Sequence, residues 1–285
     1  MWKEQKEFDC IVVGGGPAGS TFARVAAEGG LSVLLLEKDR DIGVPVRCGE
    51  AVSDAGLRIF HEPDPRWIAS TINRIRLIAP NETVVEFDLQ QKGYILDRRI
   101  FDYDLAEYAS SAGAQIVTKA YVDDLIIEND RVVGVKGTHV GERFEKRAKI
   151  VVGADGVESR VGRWAGLKTT VKLKNMECGI QKTVTGINVD EHMFEFYLSK
   201  KWAPGGYLWV FPKGKNKANI GVAISGYYAK DGKSAQKFLD EFLAWKYPKA
   251  SVLTTVVGGI PIDKTVTQMV KYGLMLVGDA AHTVN

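Results

Sequence analysis

Apolar and polar positions follow two different patterns along the chain. Before about residue 170, short continuous apolar runs are separated by segments whose apolar residues recur at helical spacing. Continuous runs are typical of parallel strands buried on both faces, whereas strict alternation is typical of antiparallel strands with one buried face. Because alternation dominates after about residue 170, the pattern predicts an α/β fold: a doubly covered parallel sheet followed by an antiparallel β-sheet domain.

The same pattern places the individual elements. Helices are expected at residues 53–60, 98–112 and 234–245, besides one that begins at Pro17. Strands of the first kind are expected at 10–13, 31–36, 149–153 and 272–277. Three further strands are expected at 115–118, 122–127 and 131–136, the last two joined by a turn at Asn129-Asp130. Strands of the second kind are expected at 72–79, 83–89, 171–187, 192–199, 206–211, 217–224 and 252–260. We therefore assign residues 1–71, 97–170 and 265–285 to one domain and residues 72–96 and 171–264 to the other.

A glycine-rich turn follows the first apolar run. The turn reads Gly14-x-Gly16-x-x-Gly19, a helical segment follows it, and a second apolar run ends at Glu37. In a β–α–β unit such glycines permit a tight turn, let the backbone approach a pyrophosphate and pack the helix against the strand. The helix N-terminus directs N–H groups at the phosphates, and an acid at this offset accepts hydrogen bonds from a ribose 2′-hydroxyl. The unit predicts FAD or NAD rather than NADP.

Composition and charge exclude several classes of protein. The 285 residues are 45% hydrophobic and 26% charged, as in an ordinary globular protein of more than one domain. A net charge of +3, from 38 basic and 35 acidic residues, gives no electrostatic basis for nucleic-acid binding. No apolar run reaches the roughly 18 residues of a spanning helix. Any membrane contact is therefore expected to be peripheral, and the basic stretch 213–217 is interpreted as a solvated turn or such a contact.

The cysteines favour a reducing compartment. Cys10, Cys48 and Cys178 are too widely spaced for a disulfide framework and match no metal-ligand pattern. Residues 1–9 carry no apolar signal segment. A cytoplasmic location is expected, with no metal site.

Further blocks join the glycine fingerprint. They are 96–105 (LDRRIFDYDL), 153–159 (GADGVES) and 278–282 (GDAAH). In this order they resemble the FAD-binding signature of the flavoprotein group that includes aromatic hydroxylases, flavin halogenases and geranylgeranyl reductases. The resemblance implies a Rossmann-like FAD-binding domain of the hydroxylase type. It implies FAD contacts at Gly14, Gly16, Pro17, Ala18, Gly19, Glu37, Lys38, Arg47, Cys48, Gly49, Arg98, Val122, Asp155, Gly156, Gly278 and Asp279.

Two motifs narrow the resemblance to the geranylgeranyl reductase family. Residues 204–212 (PGGYLWVFP) are similar to that family's substrate-domain motif, and 47–50 (RCGE) to its loop beside the flavin. The resemblance implies saturation of C=C bonds in isoprenoid chains of membrane lipids, with NAD(P)H or reduced ferredoxin as electron donor. In the family the segment after GDAAH continues into a further C-terminal region, so we expect a truncated chain with an incomplete flavin site and substrate tunnel.

Three charged residues have alternative roles. Arg98 is expected to form a charge-assisted bond to the cofactor, or else a surface ion pair. Asp155 follows a buried strand, where an unpaired carboxylate is costly, so a hydrogen-bonding role near the cofactor is favoured over catalysis. Asp279 is expected to accept hydrogen bonds from the ribityl hydroxyls, to cap a helix, or both.

Tyr207, Trp209 and Phe211 alternate, which places them on one side of a strand. They form either a sheet core or the aromatic wall of a lipid pocket, and the prolines that frame them favour the wall. An isolated alkene has no group to support a carbanion, so protonation is expected to come first or in concert, with aromatic rings facing the cation. Cys48 is the first candidate for the proton donor, because an unperturbed thiol is mostly protonated near neutrality. Tyr207 is the second, and Cys48 alternatively packs against or gates the site.

Two other functions remain open at this point. A monooxygenase or halogenase would use the same FAD fold with oxygen, but halogenases carry Trp-x-Trp-x-Ile-Pro where residues 207–212 read YLWVFP. A non-catalytic flavin- or lipid-binding remnant is the third hypothesis.

Overall fold

The computed structural model describes residues 2–228 and 234–283. The chain divides into two compact units. Unit 1 comprises Met1–Val44, Arg99–Val171 and Asp263–Asn285, and unit 2 comprises Pro45–Arg98 and Lys172–Ile262. None of the helices within the described residues has the length and apolar character needed to cross a bilayer.

Sixteen strands and five α-helices make up the described part of the chain. The helices are α1 Pro17–Glu28, α2 Asp54–Arg58, α3 Arg98–Ser111, α4 Arg160–Trp164 and α5 Ala235–Lys246. The strands are β1 Glu7–Val13, β2 Val33–Leu36, β3 Ala51–Ser53, β4 Ile68–Ile78, β5 Val84–Leu96, β6 Gln115–Val117, β7 Ala120–Glu128, β8 Arg131–His139, β9 Glu142–Gly153, β10 Met176–Thr185, β11 Met193–Tyr197, β12 Leu208–Pro212, β13 Lys217–Ser225, β14 Ser251–Pro261, β15 Val270–Lys271 and β16 Leu274–Leu276.

The sheet of unit 1 has a parallel centre. Its order is β15-β16-β9-β1-β2-β6, and the four contacts from β16 to β6 are parallel. Strand β1 sends Ile11 into one core and Val12 into the other, and the second core also holds Ala23 and Ala27 of α1. Burial on both faces explains the continuous apolar runs, and the expected α/β fold is confirmed.

An antiparallel extension, β7-β8-β9, completes this sheet. Asn129 and Asp130 connect β7 to β8 with φ angles of 48° and 62°, as in a type I′ hairpin turn. Strand β9 begins at Glu142, seven positions before the strand predicted at 149–153, because its polar first half pairs with β8.

The sheet of unit 2 has the order β14-β10-β13-β12-β11-β4-β5-β3. One face packs on α5, where Leu239 and Phe242 share a core with Val210 of β12. The expectation of a purely antiparallel sheet is wrong at one contact, because β4 and β11 pair in parallel. These strands are far apart in sequence, so no hairpin fixes their relative direction.

The unit boundaries differ from the predicted domain boundaries at residues 45–71. The sequence pattern placed these residues with the nucleotide-binding domain, whereas they belong to unit 2. Strand β3 pairs with β5 and β4 already begins at Ile68, so backbone hydrogen bonds hold this segment in the second sheet. The helix predicted at 53–60 is shorter, because Ser53 ends β3 and caps α2 by accepting from the Gly56 N–H at 3.0 Å.

Candidate active site

Two positions of the glycine fingerprint in unit 1 must be glycine, because the neighbouring backbone leaves no room for a side chain. A Cβ on Gly14 would lie 2.2 Å from the Ala154 carbonyl oxygen, and φ at Gly14 is +109°. A Cβ on Gly19 would lie 2.0 Å from the Gly14 carbonyl oxygen. Neither distance is tolerable for a side chain, so these glycines bring β1, α1 and the end of β9 together.

Gly16 differs from these two glycines. No atom of the described residues lies within 4 Å of the position that a Gly16 Cβ would take. Gly16 is the N-cap of α1, Pro17 follows at the first helical position, and no described side chain caps the helix. Open space in front of a helix N-terminus suits a phosphate, which the helix dipole and N–H groups would bind. The fingerprint therefore fits a dinucleotide.

Glu37 is held by the backbone at the end of β2. Its Oε2 accepts from the Gly15 N–H at 2.7 Å, and its Oε1 accepts from the Asp39 N–H at 2.8 Å. Each carboxylate oxygen has a second lone pair for a ribose hydroxyl. Lys38 is exposed, and its Nζ lies 3.7 Å from the Asp39 carboxylate. Its predicted cofactor contact stays a prediction.

Asp155 lies directly after the carbonyl group that meets Gly14. Its Oδ2 accepts from the Val161 N–H at 3.0 Å, whereas its Oδ1 is buried with no hydrogen-bond partner among the described residues. Burial raises the pKa of this carboxyl, and N–H donors and Arg163 oppose the rise. An orphaned buried oxygen beside the glycine turn fits a ligand hydroxyl as its missing partner.

The GDAAH segment packs on the same turn. Gly278, with φ +61°, comes so close to α1 that its Cβ would lie 2.7 Å from the Ala18 Cβ. Ser159 anchors the segment by donating to the Ala280 carbonyl at 2.7 Å. Within unit 1 the structure thus brings together the fingerprint, the GADG block that contains Gly156, and the GDAAH block that contains Asp279.

Two residues near these blocks have mainly structural contacts. His282 is buried, and its Nε2 lies 3.0 Å from the Thr169 carbonyl oxygen. The Val122 side chain is buried in the core of unit 1. Its predicted cofactor contact stays a prediction.

The aromatic residues of unit 2 do share one face, and the face is larger than the sequence motif. Tyr207 and Trp209 have ring centroids 5.8 Å apart, and Trp209 and Phe211 6.1 Å apart. Phe194 and Phe196 of β11 extend the group, at 4.9 Å from Phe211 and 5.6 Å from Tyr207 respectively. We call these five rings the aromatic face. Trp209 and Phe211 are only 7% exposed and resemble a core, whereas Tyr207 is 40% exposed.

Two residues that the motif did not indicate fix the position of Trp209. A Cβ on Gly221 would lie 2.2 Å from the Trp209 Cζ2, so the indole lies against bare backbone. Gln181 of β10 accepts from the Trp209 Nε1–H at 3.0 Å. Gln181 also donates through Nε2 to the Cys48 carbonyl at 2.8 Å. Because Gly49 lies against the ring of Phe211, the RCGE loop packs on the aromatic face.

The loop carries the predicted thiol. Cys48 is half-buried, and its Sγ accepts from the Glu50 N–H at 3.3 Å. Arg47 is exposed. The Arg98 backbone N–H donates to Glu50 Oε1 at 2.9 Å, and the cofactor contact expected of the Arg98 side chain stays a prediction. Lys213 is buried against Glu50, so the interpretation of residues 213–217 as a solvated or membrane-contacting turn is wrong for its first member.

Tyr207 and Glu177 both have raised pKa values. Burial raises the pKa of the Tyr207 phenol, and the negative charge of Glu177 raises it further. Burial also raises the pKa of the Glu177 carboxyl. Glu177 and Gln181 lie four positions apart on β10, so both point to the aromatic face. The only sequence signal for Glu177 was its place in an alternating strand, and that pattern did not distinguish it from the other polar residues of the strand.

Comparisons with known proteins agree with this arrangement. Residues 175–260 match the geranylgeranyl reductase catalytic domain, and residues 12–74 match an NAD(P)-binding Rossmann-like domain. The chain is 48% identical over 282 residues to a digeranylgeranylglycerophospholipid reductase of Methanocella arvoryzae, covering 98% of the chain and 72% of that protein. It is 46% identical to digeranylgeranylglycerophospholipid reductase 2 of Methanococcoides burtonii, covering 96% of the chain and 68% of that protein.

Solved structures give the same result. A geranylgeranyl bacteriochlorophyll reductase-like protein from Thermoplasma acidophilum has a TM-score of 0.93 at 38% identity, covering 98% of this chain and 72% of that one. A flavin-dependent brominase has a TM-score of 0.78 at 19% identity, covering 96% and 72%, which shows a shared fold alone. The resemblance inferred from the sequence blocks is confirmed. The chain belongs to the geranylgeranyl reductase family of oxidoreductases.

Proposed function

We propose that the protein is an FAD-dependent reductase that saturates C=C bonds in the geranylgeranyl chains of archaeal membrane lipids. One observation carries the proposal. The segment that matches the geranylgeranyl reductase catalytic domain, residues 175–260, supplies every ring of the aromatic face together with Glu177 and Gln181. A long hydrocarbon gains from contact with such large apolar ring surfaces.

Unit 1 has the features of a flavin nucleotide site. Gly16 and the N-terminus of α1 would hold the pyrophosphate, and Glu37 the adenosine ribose. Asp155 would pair its orphaned oxygen with the cofactor, and Asp279 would accept hydrogen bonds from the ribityl hydroxyls. When bound, reduced FAD supplies the hydride, and NAD(P)H or reduced ferredoxin would be the electron donor.

The residues of unit 2 would supply the proton and stabilise the positive charge that protonation creates on the alkene. An unactivated alkene that accepts a proton gains tertiary cation character, and the faces of aromatic rings stabilise such a cation. Cys48 is the leading proton donor. Tyr207 is protonated at neutral pH, as an ordinary phenol already is, and its raised pKa strengthens this. Glu177 keeps its proton to a higher pH than an exposed carboxyl does, because burial raises its pKa.

The substrate class implies peripheral contact with a membrane. A lipid with geranylgeranyl chains lies in the bilayer, and the described helices do not cross one. We therefore propose that the protein meets its substrate at the cytoplasmic surface of the membrane, where one chain at a time would leave the bilayer to reach the aromatic face.

The proposal is tested with purified protein, FAD and dithionite, under anaerobic conditions, on a phospholipid that carries two geranylgeranyl chains. Mass spectrometry is expected to show products that gain two hydrogen atoms for each saturated bond. Cys48→Ala is expected to slow the reaction by about 100-fold, the usual contribution of a general acid. Cys178→Ser, which alters an exposed thiol on the same unit, is expected to leave the rate unchanged.

Three outcomes would contradict parts of the proposal. A Cys48→Ala protein with the rate of the unmodified protein would remove Cys48 from the mechanism, and Tyr207→Phe and Glu177→Gln would then identify the donor. Oxygen- and halide-dependent turnover without saturation would favour a halogenase-type enzyme. Failure to acquire a flavin absorption spectrum after FAD is added would favour a non-catalytic lipid-binding protein.

A further inference from the structure

A buried ion pair lies behind the Cys48 loop. The side chains of Glu50 and Lys213 are 4% and 7% exposed, and Lys213 Nζ lies 2.6 Å from Glu50 Oε2. Lysine and glutamate are almost never this buried unless they are paired. Removing two charges from water costs several kcal/mol for each ion, so a buried pair is weak evidence for a stabilising role. A buried pair can instead fix the position of the segments that it joins.

Hydrogen bonds occupy both oxygens of the Glu50 carboxylate. Oε1 accepts from the Arg98 backbone N–H at 2.9 Å, and Oε2 accepts from Asn219 Nδ2 at 2.5 Å as well as from Lys213. Asn219 is itself oriented, because its Oδ1 accepts from the Thr183 hydroxyl at 2.8 Å. The carboxylate thus ties the loop to β13, to the end of β12 and to the start of α3.

The backbone of Glu50 holds the loop in an unusual conformation. Its φ of +72° is in the left-handed region, which a side chain other than glycine adopts only where the surroundings require it. In this conformation the Glu50 N–H points to Cys48 Sγ at 3.3 Å, and the Glu50 carbonyl accepts from the Leu96 N–H at 2.9 Å. The residue that anchors the loop is therefore the one that orients the thiol.

We propose that Glu50 is a positioning residue, whose side-chain hydrogen bonds hold the Cys48 loop against the aromatic face and so fix the position of the Cys48 thiol, while Lys213 compensates the buried charge of its carboxylate. The importance of that position for catalysis rests on the proposed function. Glu50 acts through Cys48, and Gln181 provides a second anchor by donating to the Cys48 carbonyl.

Thiol reactivity can measure the position of the loop without flavin or lipid. In a Cys178→Ser background, Cys48 is the accessible thiol, because Cys10 is buried. The measured quantity is the second-order rate constant for reaction with a neutral aromatic disulfide reagent. A loop that opens more often exposes the sulfur more often, so a loosened loop reacts faster.

Two double variants separate positioning from charge burial. Glu50→Gln with Lys213→Met removes both charges but keeps a side chain whose amide oxygen can still accept from the Arg98 backbone N–H. Glu50→Gly with Lys213→Met also removes both charges and relaxes the left-handed backbone, but leaves no side chain to hold the loop. Both variants avoid an unpaired buried charge, so both are expected to fold.

The Gln variant is expected to react within about threefold of the background, and the Gly variant about tenfold faster, because only the latter lets the loop open. A matched control is Glu195→Gln with Lys246→Met, which neutralises another Lys–Glu pair of unit 2, with Nζ and Oε2 2.5 Å apart. Its side chains belong to β11 and α5, so the Cys48 rate is expected to stay at the background value.

Equal rates for the Gln and Gly variants would overturn the proposal, and so would an equal rise in the control variant. Neither result depends on lipid reduction. If the rates differ as expected but the unmodified protein reduces no lipid, the positioning role of Glu50 stands and the proposed function falls.

Discussion

Unit 1 and unit 2 build their candidate sites from different parts of the polypeptide. In unit 1 the site consists mostly of backbone: glycines where no Cβ fits, the N-terminus of α1, and carboxylates held by N–H groups. In unit 2 the site consists of side chains that project from three strands and a loop. The comparison shows that the candidate nucleotide site depends on local chain geometry, whereas the aromatic face depends on which residues of distant strands become neighbours.

The largest expected effect tests the backbone site. Gly19→Ala would place a Cβ 2.0 Å from the Gly14 carbonyl oxygen, so we expect unit 1 to lose about 3 kcal/mol of stability or more.

Gly16→Ala meets open space, so we expect a stability change of less than about 1 kcal/mol but at least a tenfold weaker affinity for FAD. Urea unfolding and a flavin fluorescence titration measure the two quantities.

These two glycines also make the comparison falsifiable. If Gly16→Ala binds FAD as tightly as the unmodified protein does, the pyrophosphate does not lie at the N-terminus of α1. If Gly19→Ala unfolds at the same urea concentration as the unmodified protein, close packing does not determine the fingerprint.

A middle-sized effect tests the side-chain site. Gly221→Ala would place a Cβ 2.2 Å from Trp209 and force the indole away from the strand. We expect a loss of about 1–3 kcal/mol of stability, with a change in tryptophan emission because the indole N–H leaves Gln181. Gly258→Ala, on a strand of the same sheet, is the control. A Cβ at Gly258 would meet only the Arg47 Cβ, at 4.0 Å. Equal loss in both variants would show that the indole has room to move.

The smallest effect concerns pH. Burial raises the pKa of Asp155, so the native state binds this proton more tightly than the unfolded chain does. The resulting stabilisation is complete below the ordinary aspartate value of 3.8 and is lost as pH rises through the native value. Asp155→Asn removes this dependence. We therefore expect the stability of the unmodified protein, relative to the variant, to fall between acidic and neutral pH, as urea unfolding at several pH values would show.

A relative stability that instead rises with pH would contradict this picture. It would mean that the N–H donors around Asp155 and the nearby Arg163 outweigh burial, and that the carboxylate needs no ligand partner.

Prediction from sequence succeeded where neighbours in the chain are also neighbours in space. The β1–α1–β2 unit is such a case, because its glycines and Glu37 act within a single short segment. Tyr207, Trp209 and Phe211 were placed correctly on one face for the same reason, since strand geometry alone orients alternate residues.

Prediction failed where a contact joins distant segments. Lys213 was interpreted as part of an exposed basic turn, although Glu50, 163 positions away, buries it. Glu177 and Gln181 were unremarkable polar residues of an alternating strand until β10 took its place beside β13. Residues 45–71 were grouped with the nucleotide-binding segments, whereas the hydrogen bonds of β3 and β4 join them to β5, a strand that comes later in the chain.

The sequence by itself determined the α/β fold, the fingerprint, the alternation of the aromatic strand and the family. Each of these follows from local chain geometry or from the order of short motifs. Only the tertiary structure decided that Glu50 and Lys213 pair behind Cys48, that Gln181 joins the loop to Trp209, and that β4 lies parallel to β11. The reason is that strand register and buried charge pairing depend on long-range contacts, which no single segment of the chain specifies.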